Sequence, residues 1–139
     1  MLAEVFPVPD AIGQFAKAKY FSLETFRKTG VGVRTPVWFA KDPTSPSPAG
    51  VTTFYVYTAP DSGKVKRIRN NPRVRINPCT MRGDLRGAWV DARARICDGA
   101  EAAKGQGLLN EKYGLMKRVG DFFSRLRGRV QPVLAIELE

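Results

Sequence analysis

The chain has 139 residues and a mass of 15.4 kDa, the size of one domain spanning residues 1–139. With 43 % hydrophobic and 26 % charged residues it excludes disorder, collagen-like repeats and coiled coil as descriptions of the whole. Its 23 Lys and Arg against 13 Asp and Glu give a charge of +10, which points to an anionic partner.

No internal repeat is present, and punctuation divides the chain clearly. Pro7 and Pro9 precede a short helix expected over Asp10 to Lys17, with Asp10 as N-cap. Tyr20 to Phe26 and Val31 to Ala40 are β-rich and flank Arg27-Lys28-Thr29-Gly30, whose glycine permits the positive φ of a hairpin loop, so the two strands should pair antiparallel. Asp42 to Gly50, with three prolines and two serines, is expected to be an exposed loop. Val51 to Thr58 is the next strand, followed by a helix over Ser62 to Asn70 that buries Val65 and Ile68 and turns basic faces outward. Asn71-Pro72 stops it, Arg73 to Cys79 alternates as a strand, Thr80 to Gly87 is a turn, and Ala88 to Cys97 is another strand. From Ala100 to about Leu126 apolar residues recur at helical spacing, with Gly105, Gly107, Gly114 and Gly120 expected to interrupt them. Val130 to Leu138 closes the chain as a strand. Strands in mostly hairpin order without βαβ alternation indicate a mainly β, antiparallel barrel or sandwich with minor α.

Absent residue types narrow the chemistry. Without His there is no His-based triad, His-led zinc site or imidazole acid–base catalysis, and no metal site is expected. Cys79 and Cys97 lack CxxC spacing and read as buried thiols. No apolar run approaches the ~20 residues of a membrane span, and Met1 to Phe15 lacks the basic-then-apolar order of a signal peptide. A cytoplasmic protein without a membrane partner is expected.

The charge is focused. Between Asp61 and Arg95 lie ten Lys or Arg and three Asp, +7 of the chain's +10. Within this stretch Ser62-Gly63-Lys64 opens a helix just after a strand, so free backbone N–H groups, a hydroxyl and an ammonium converge where one phosphate would sit. The same residues also suit a simple cap followed by a solvated basic face, with Lys64, Lys66, Arg67 and Arg69 on it.

Three blocks, Lys19-Tyr-Phe-Ser-Leu-Glu-Thr-Phe26, Val33-Arg-Thr-Pro-Val-Trp-Phe39 and Asp61-Ser-Gly-Lys-Val-Lys-Arg-Ile-Arg-Asn-Asn-Pro-Arg-Val-Arg75, together resemble the pyridoxamine 5'-phosphate oxidase-like (PPOX) superfamily. Within it the sequence is most similar to the actinobacterial flavin/deazaflavin oxidoreductases that depend on coenzyme F420. The resemblance implies an FMN-binding-like split β-barrel homodimer with cofactor sites at the interface, a small unsaturated or quinone-like substrate, and hydride transfer by coenzyme F420, with FMN as the alternative cofactor. It places phosphate contacts on Ser62, Gly63, Lys64 and Arg67, and the ring-facing strand on Arg34, Thr35, Pro36, Val37 and Trp38. Thr58 and Asn77 complete the implied cofactor-binding set, and Trp89 is placed near the partner subunit's site. Lys66, Arg69, Arg73 and Arg75 are candidates for the anionic tail of coenzyme F420. No catalytic acid is selected among Tyr20, Tyr55, Tyr57 and Tyr113. A non-enzymatic cofactor- or nucleic-acid-binding module is the competing class, supported by charge and aromatics alone, with no helix-turn-helix, zinc-finger or RRM motif beside them.

Overall fold

A computed structural model describes residues 8–58, 63–113 and 132–138. In chain order the elements are α1 (Val8–Gly13), β1 (Tyr20–Phe26), β2 (Gly32–Lys41), β3 (Thr52–Tyr57), α2 (Gly63–Asn70), β4 (Arg73–Cys79), β5 (Val90–Cys97), α3 (Gly99–Tyr113) and β6 (Val133–Leu138). The six strands close into an antiparallel barrel in the order β1-β2-β3-β6-β5-β4. A barrel, rather than a sandwich, results because β1 pairs with β4 and β3 with β6, two long-range pairings that join the strands into a ring.

Alternation sorts each strand between two cores. Phe21 and Leu23, Val37 and Phe39, Phe54 and Val56, Val74 and Ile76, and Leu134 and Ile136 fill the barrel interior. Ala40, Tyr55, Cys97, Val133 and Ala135 face outward, where Leu109 and Tyr113 of α3 cover them. Phe21 and Phe39 stack at 4.5 Å, while Phe15 and Phe54 meet them at steeper angles, so four rings fill one end of the barrel. Such pairs add about 0.5–1.5 kcal/mol each beyond the area they bury.

The hairpin between β1 and β2 forms as expected, with Gly30 at φ 91° and the Arg27 N–H donating to Val31 O at 2.9 Å. Two expectations are corrected. The first helix is Val8–Gly13, not Asp10 to Lys17, so Asp10 lies inside the helix and not at its cap. Pro9 is tolerated in a first turn, and after Gly13 the chain continues through i to i+3 bonds such as Ala16 N–H to Gly13 O, which are turns and not helix. Gly105 and Gly107 do not interrupt α3. At Gly105 a Cβ would lie 2.7 Å from Val133 Cγ1 and 3.0 Å from Tyr55 Cδ1, so this glycine lets the helix approach the sheet. Gly114, Gly120 and the rest of the expected helix lie outside the described residues.

One pairing is incomplete. β2 pairs with β1 along Gly32 to Trp38 but with β3 only at Phe39 to Lys41. Among the described residues the β3-facing edge of β2 from Gly32 to Trp38 has no strand against it. This stretch forms a seam in the barrel wall, and α2 packs against β1 and β5, with Ile68 reaching into the barrel core.

Candidate cofactor site

Of the segment expected to bind phosphate, Ser62 lies outside the described residues, Gly63 and Lys64 are in the first turn of α2, and Arg67 stands one turn on. The first-turn N–H groups have no helical acceptor, so this end of the helix favours an anion. Arg67 folds back over it: its Nε donates to Thr25 Oγ1 at 2.6 Å, and a Cβ on Gly63 would lie 2.5 Å from the guanidinium. Lys64 is half-buried on the same side of the helix as Arg67, whereas Lys66 is exposed. Desolvation, then the charge of Arg67, pushes the Lys64 ammonium below its ordinary pKa; burial and the charge of Arg27 do the same to Arg67. Positive charge is therefore concentrated around Arg67, with Lys64 and Arg27 near it.

β2, the strand expected to face the cofactor ring, divides its side chains between two faces. By alternation with Val37 and Phe39, Thr35 points into the barrel, while Arg34, Pro36 and Trp38 point out. Thr58, continuing β3 with its N–H donating to Pro132 O at 3.1 Å, shares the interior side with Val56. Thr35 Oγ1 and Thr58 Oγ1 are both buried without a hydrogen-bond partner among the described residues. A buried hydroxyl left unpaired costs about 1–3 kcal/mol, and both of these hydroxyls have the capacity to bond a polar group.

On the outer face, strand register lines up Arg34, Glu24 and Arg75 in one row. Glu24 is buried and accepts from Arg34 Nε at 3.0 Å and Arg75 Nε at 2.6 Å. Burial alone would raise the Glu24 pKa, but the hydrogen bonds and charges of the two arginines outweigh it and hold the carboxyl below its usual range. Both guanidinium carbons lie over the Trp89 ring, at 4.6 and 4.8 Å. Arg34 and Arg75 are thus engaged with protein groups, and of the tail candidates Lys66, Arg69 and Arg73 remain exposed. Trp38 stacks on Tyr113 at 5.6 Å, and it and Trp89 are half-buried.

Asn77 is buried, and its Oδ1 accepts the Gly87 N–H at 3.1 Å, so its side chain organises the Thr80 to Gly87 turn. Two of the four tyrosines are committed elsewhere. The Tyr113 hydroxyl accepts from Phe39 N and is within hydrogen-bond reach of the Lys19 and Phe39 carbonyls, and burial pushes its pKa up. Tyr55 donates to Glu101, and burial together with that carboxylate raises its pKa. Both cysteines are free and buried, as expected. The cations of α2 were legible in the sequence; Thr25, Arg27 and Glu24 were not, because only the pairing of β4 with β1 and the docking of α2 bring Arg75 and Arg67 to them.

No protein-family model matches the sequence, and no curated protein matches it significantly. Solved structures do. The chain is similar to HutZ, the heme storage protein from Vibrio cholerae, with a TM-score of 0.65 and 15 % identity over 96 % of this chain and 92 % of HutZ. An F420-H2 dependent reductase, FDR-A, matches with a TM-score of 0.57 and 17 % identity over 85 % of this chain and 93 % of the reductase. A protein assigned as a pyridoxamine 5'-phosphate oxidase from Listeria innocua matches with a TM-score of 0.57 and 12 % identity over 94 % and 92 %. The fold is the PPOX-like split β-barrel. At these identities the likeness establishes the split barrel, while the site residues rest on this chain's own geometry. Among the described residues no helix of the split barrel is long and apolar enough to cross a membrane.

Proposed function

We propose that the chain is a coenzyme F420-dependent oxidoreductase that transfers a hydride between the deazaflavin and a small unsaturated or quinone-like substrate, acting in the cytoplasm as a homodimer. The observation that carries this reading is the pair of orphaned hydroxyls, Thr35 Oγ1 and Thr58 Oγ1, beside the β2 seam, taken together with the cationic start of α2 at Gly63, Lys64 and Arg67. The residues suit a ligand with a polar ring system and an anionic end. Lys64 and the first-turn N–H groups of α2 would hold the phosphate, with Arg67 adding charge from its perch on Thr25. Thr35 and Thr58 would satisfy ring polar atoms, and the exposed Lys66, Arg69 and Arg73 extend the positive field for a longer anionic tail. When bound, the cofactor supplies the carbon that gives or takes the hydride, and the protein supplies position and exclusion of water. This division of labour suits a chain without His. The sequence resemblance and the likeness to FDR-A support the same reading.

FMN is the second reading, favoured by the same phosphate end and by the likeness to the Listeria protein. Haem storage, the role in HutZ's name, is not carried over, since haem iron is commonly held by His and this chain has none. Titration of the purified apo-protein with both cofactors tests the proposal. The expected result is saturable binding of coenzyme F420, tighter than that of FMN, and, with a quinone or enone panel, catalysed oxidation of its reduced form, hydride passing to the acceptor and the visible absorbance of the oxidised deazaflavin returning. Failure to bind either cofactor overturns it.

A further inference from the structure

We propose that a cleft beside Tyr20, separate from the α2 phosphate end, is a second ligand site for a small planar organic anion such as an aromatic carboxylate. The cleft measures about 440 Å³, within the size range of small-molecule sites, and three cations, Lys17, Lys19 and Arg86, line it without a carboxylate among the lining residues. Among the described residues none of the three is paired with an acid. Asp84, whose charge reaches the Cys79 thiol, is outside the lining. Tyr20 and Met81 supply apolar walls; Met81 is 68 % exposed, an adaptable side chain left uncovered at the mouth.

The walls are built and held in place. The Thr80 to Gly87 turn that carries Met81 and Arg86 is tied down at four points: Arg86 N–H to Pro78 O at 2.7 Å, Gly87 N–H to Asn77 Oδ1 at 3.1 Å, Thr80 N–H to Asp84 O at 2.9 Å, and the bridge between Cys79 and Leu85. Gln14 clamps the next residue from the other rim, donating to Ala88 O at 3.0 Å and accepting from Ala88 N at 2.9 Å. A Cβ at Gly87 would collide with that Gln14 oxygen, so the clamp requires glycine there. A preorganised pocket spends little on ordering when it binds. Arg86 offers a planar fork that matches a carboxylate, the two lysines add point charges, and Tyr20 offers a ring face. Tyr20 is also the β1 partner of Trp38 and lies 6.4 Å from it, so the cleft abuts the outer face of the ring-facing strand. Calling the occupant the enzyme's substrate rests on the oxidoreductase reading above; its binding does not.

The test is titration of the purified full chain with 2-naphthoate and with 2-naphthamide, which has the same shape and no charge, followed by calorimetry or ligand fluorescence. The expected result is saturable naphthoate binding, at least about tenfold weaker for the amide, with a similar loss of naphthoate affinity in the Lys19→Gln/Arg86→Gln double variant. Equal affinity for acid and amide, undiminished binding in the double variant, or no saturable naphthoate binding overturns the proposal. Coenzyme F420 and FMN titrations on the same samples keep the two readings apart. Naphthoate binding without binding of either cofactor upholds this site and refutes the oxidoreductase, and cofactor binding without naphthoate binding does the reverse.

Discussion

Replacing Lys64 by Ala separates a specific phosphate site from a diffuse basic surface. Lys64 is half-buried in the first turn of α2, and Arg67 stands one turn on, anchored to Thr25. A hydrogen bond to a charged group contributes about 1.5–3 kcal/mol, and because Arg67 remains in place the lower part of that range applies. Lys64→Ala is therefore expected to weaken cofactor binding by about 1.5–2 kcal/mol, or roughly ten- to thirtyfold. Lys66→Ala, about 200° further round the helix and exposed, should cost much less. Stability should hold or rise slightly: the fold depresses the Lys64 pKa, so it tolerates this charge less well than the unfolded chain does. The assay is cofactor titration of wild type and both variants at low and at moderate salt, beside thermal midpoints. Wild-type affinity in Lys64→Ala, or equal losses in both variants that vanish with salt, would refute the specific site.

Gly105→Ala should lower stability by about 1–3 kcal/mol despite alanine's better helix propensity, because the new methyl meets Val133 and Tyr55; thermal or urea unfolding measures it, and an unchanged midpoint contradicts the close packing of α3. Glu24 and Asp42 are both held below their ordinary pKa, where burial is outweighed by Arg34 and Arg75 for Glu24, and by Lys104 and Thr44 for Asp42. Their stabilisation is complete above the ordinary carboxylate range, near 4.5 and 3.8, and is lost as pH falls through the lowered folded values. Glu24→Gln should reduce the acid slope of the unfolding midpoint between about pH 5 and pH 2, and a slope identical to wild type would show that Glu24 is not the group responsible. Sedimentation at micromolar concentration is expected to give a dimer of the 15.4 kDa chain; a monomer with intact cofactor affinity would refute sites completed by a partner subunit.

Local chemistry was enough to read most elements from the sequence. The β-branched and aromatic runs of β1, β3 and β4, the Gly30 turn and the Val65–Ile68 spacing of α2 are decided within a few neighbouring residues, and the structure forms them within a residue or so of the expected limits. The cations at the start of α2 were likewise legible, since a strand-to-helix junction bearing Gly63 and Lys64 predisposes the backbone toward an anion wherever it stands in the fold. Long-range pairing was not legible. The β1–β2 hairpin that sets Glu24 beside Arg34 was legible, but nothing in the local sequence says that β4 takes the other edge of β1 and joins Arg75 to Glu24, or that α2 docks so that Arg67 reaches Thr25. Register also sends Thr35 inward and Trp38 outward from a strand that reads as one ligand-facing block, because side chains alternate across a sheet whatever motif they spell. Gly105 shows the same limit from the other side: helix propensity reads it as a break, whereas the packed surface of Tyr55 and Val133 requires its missing side chain. Neighbouring residues decided which elements form, and long-range pairing decided which side chains meet, since only barrel closure brings groups tens of residues apart within hydrogen-bonding distance.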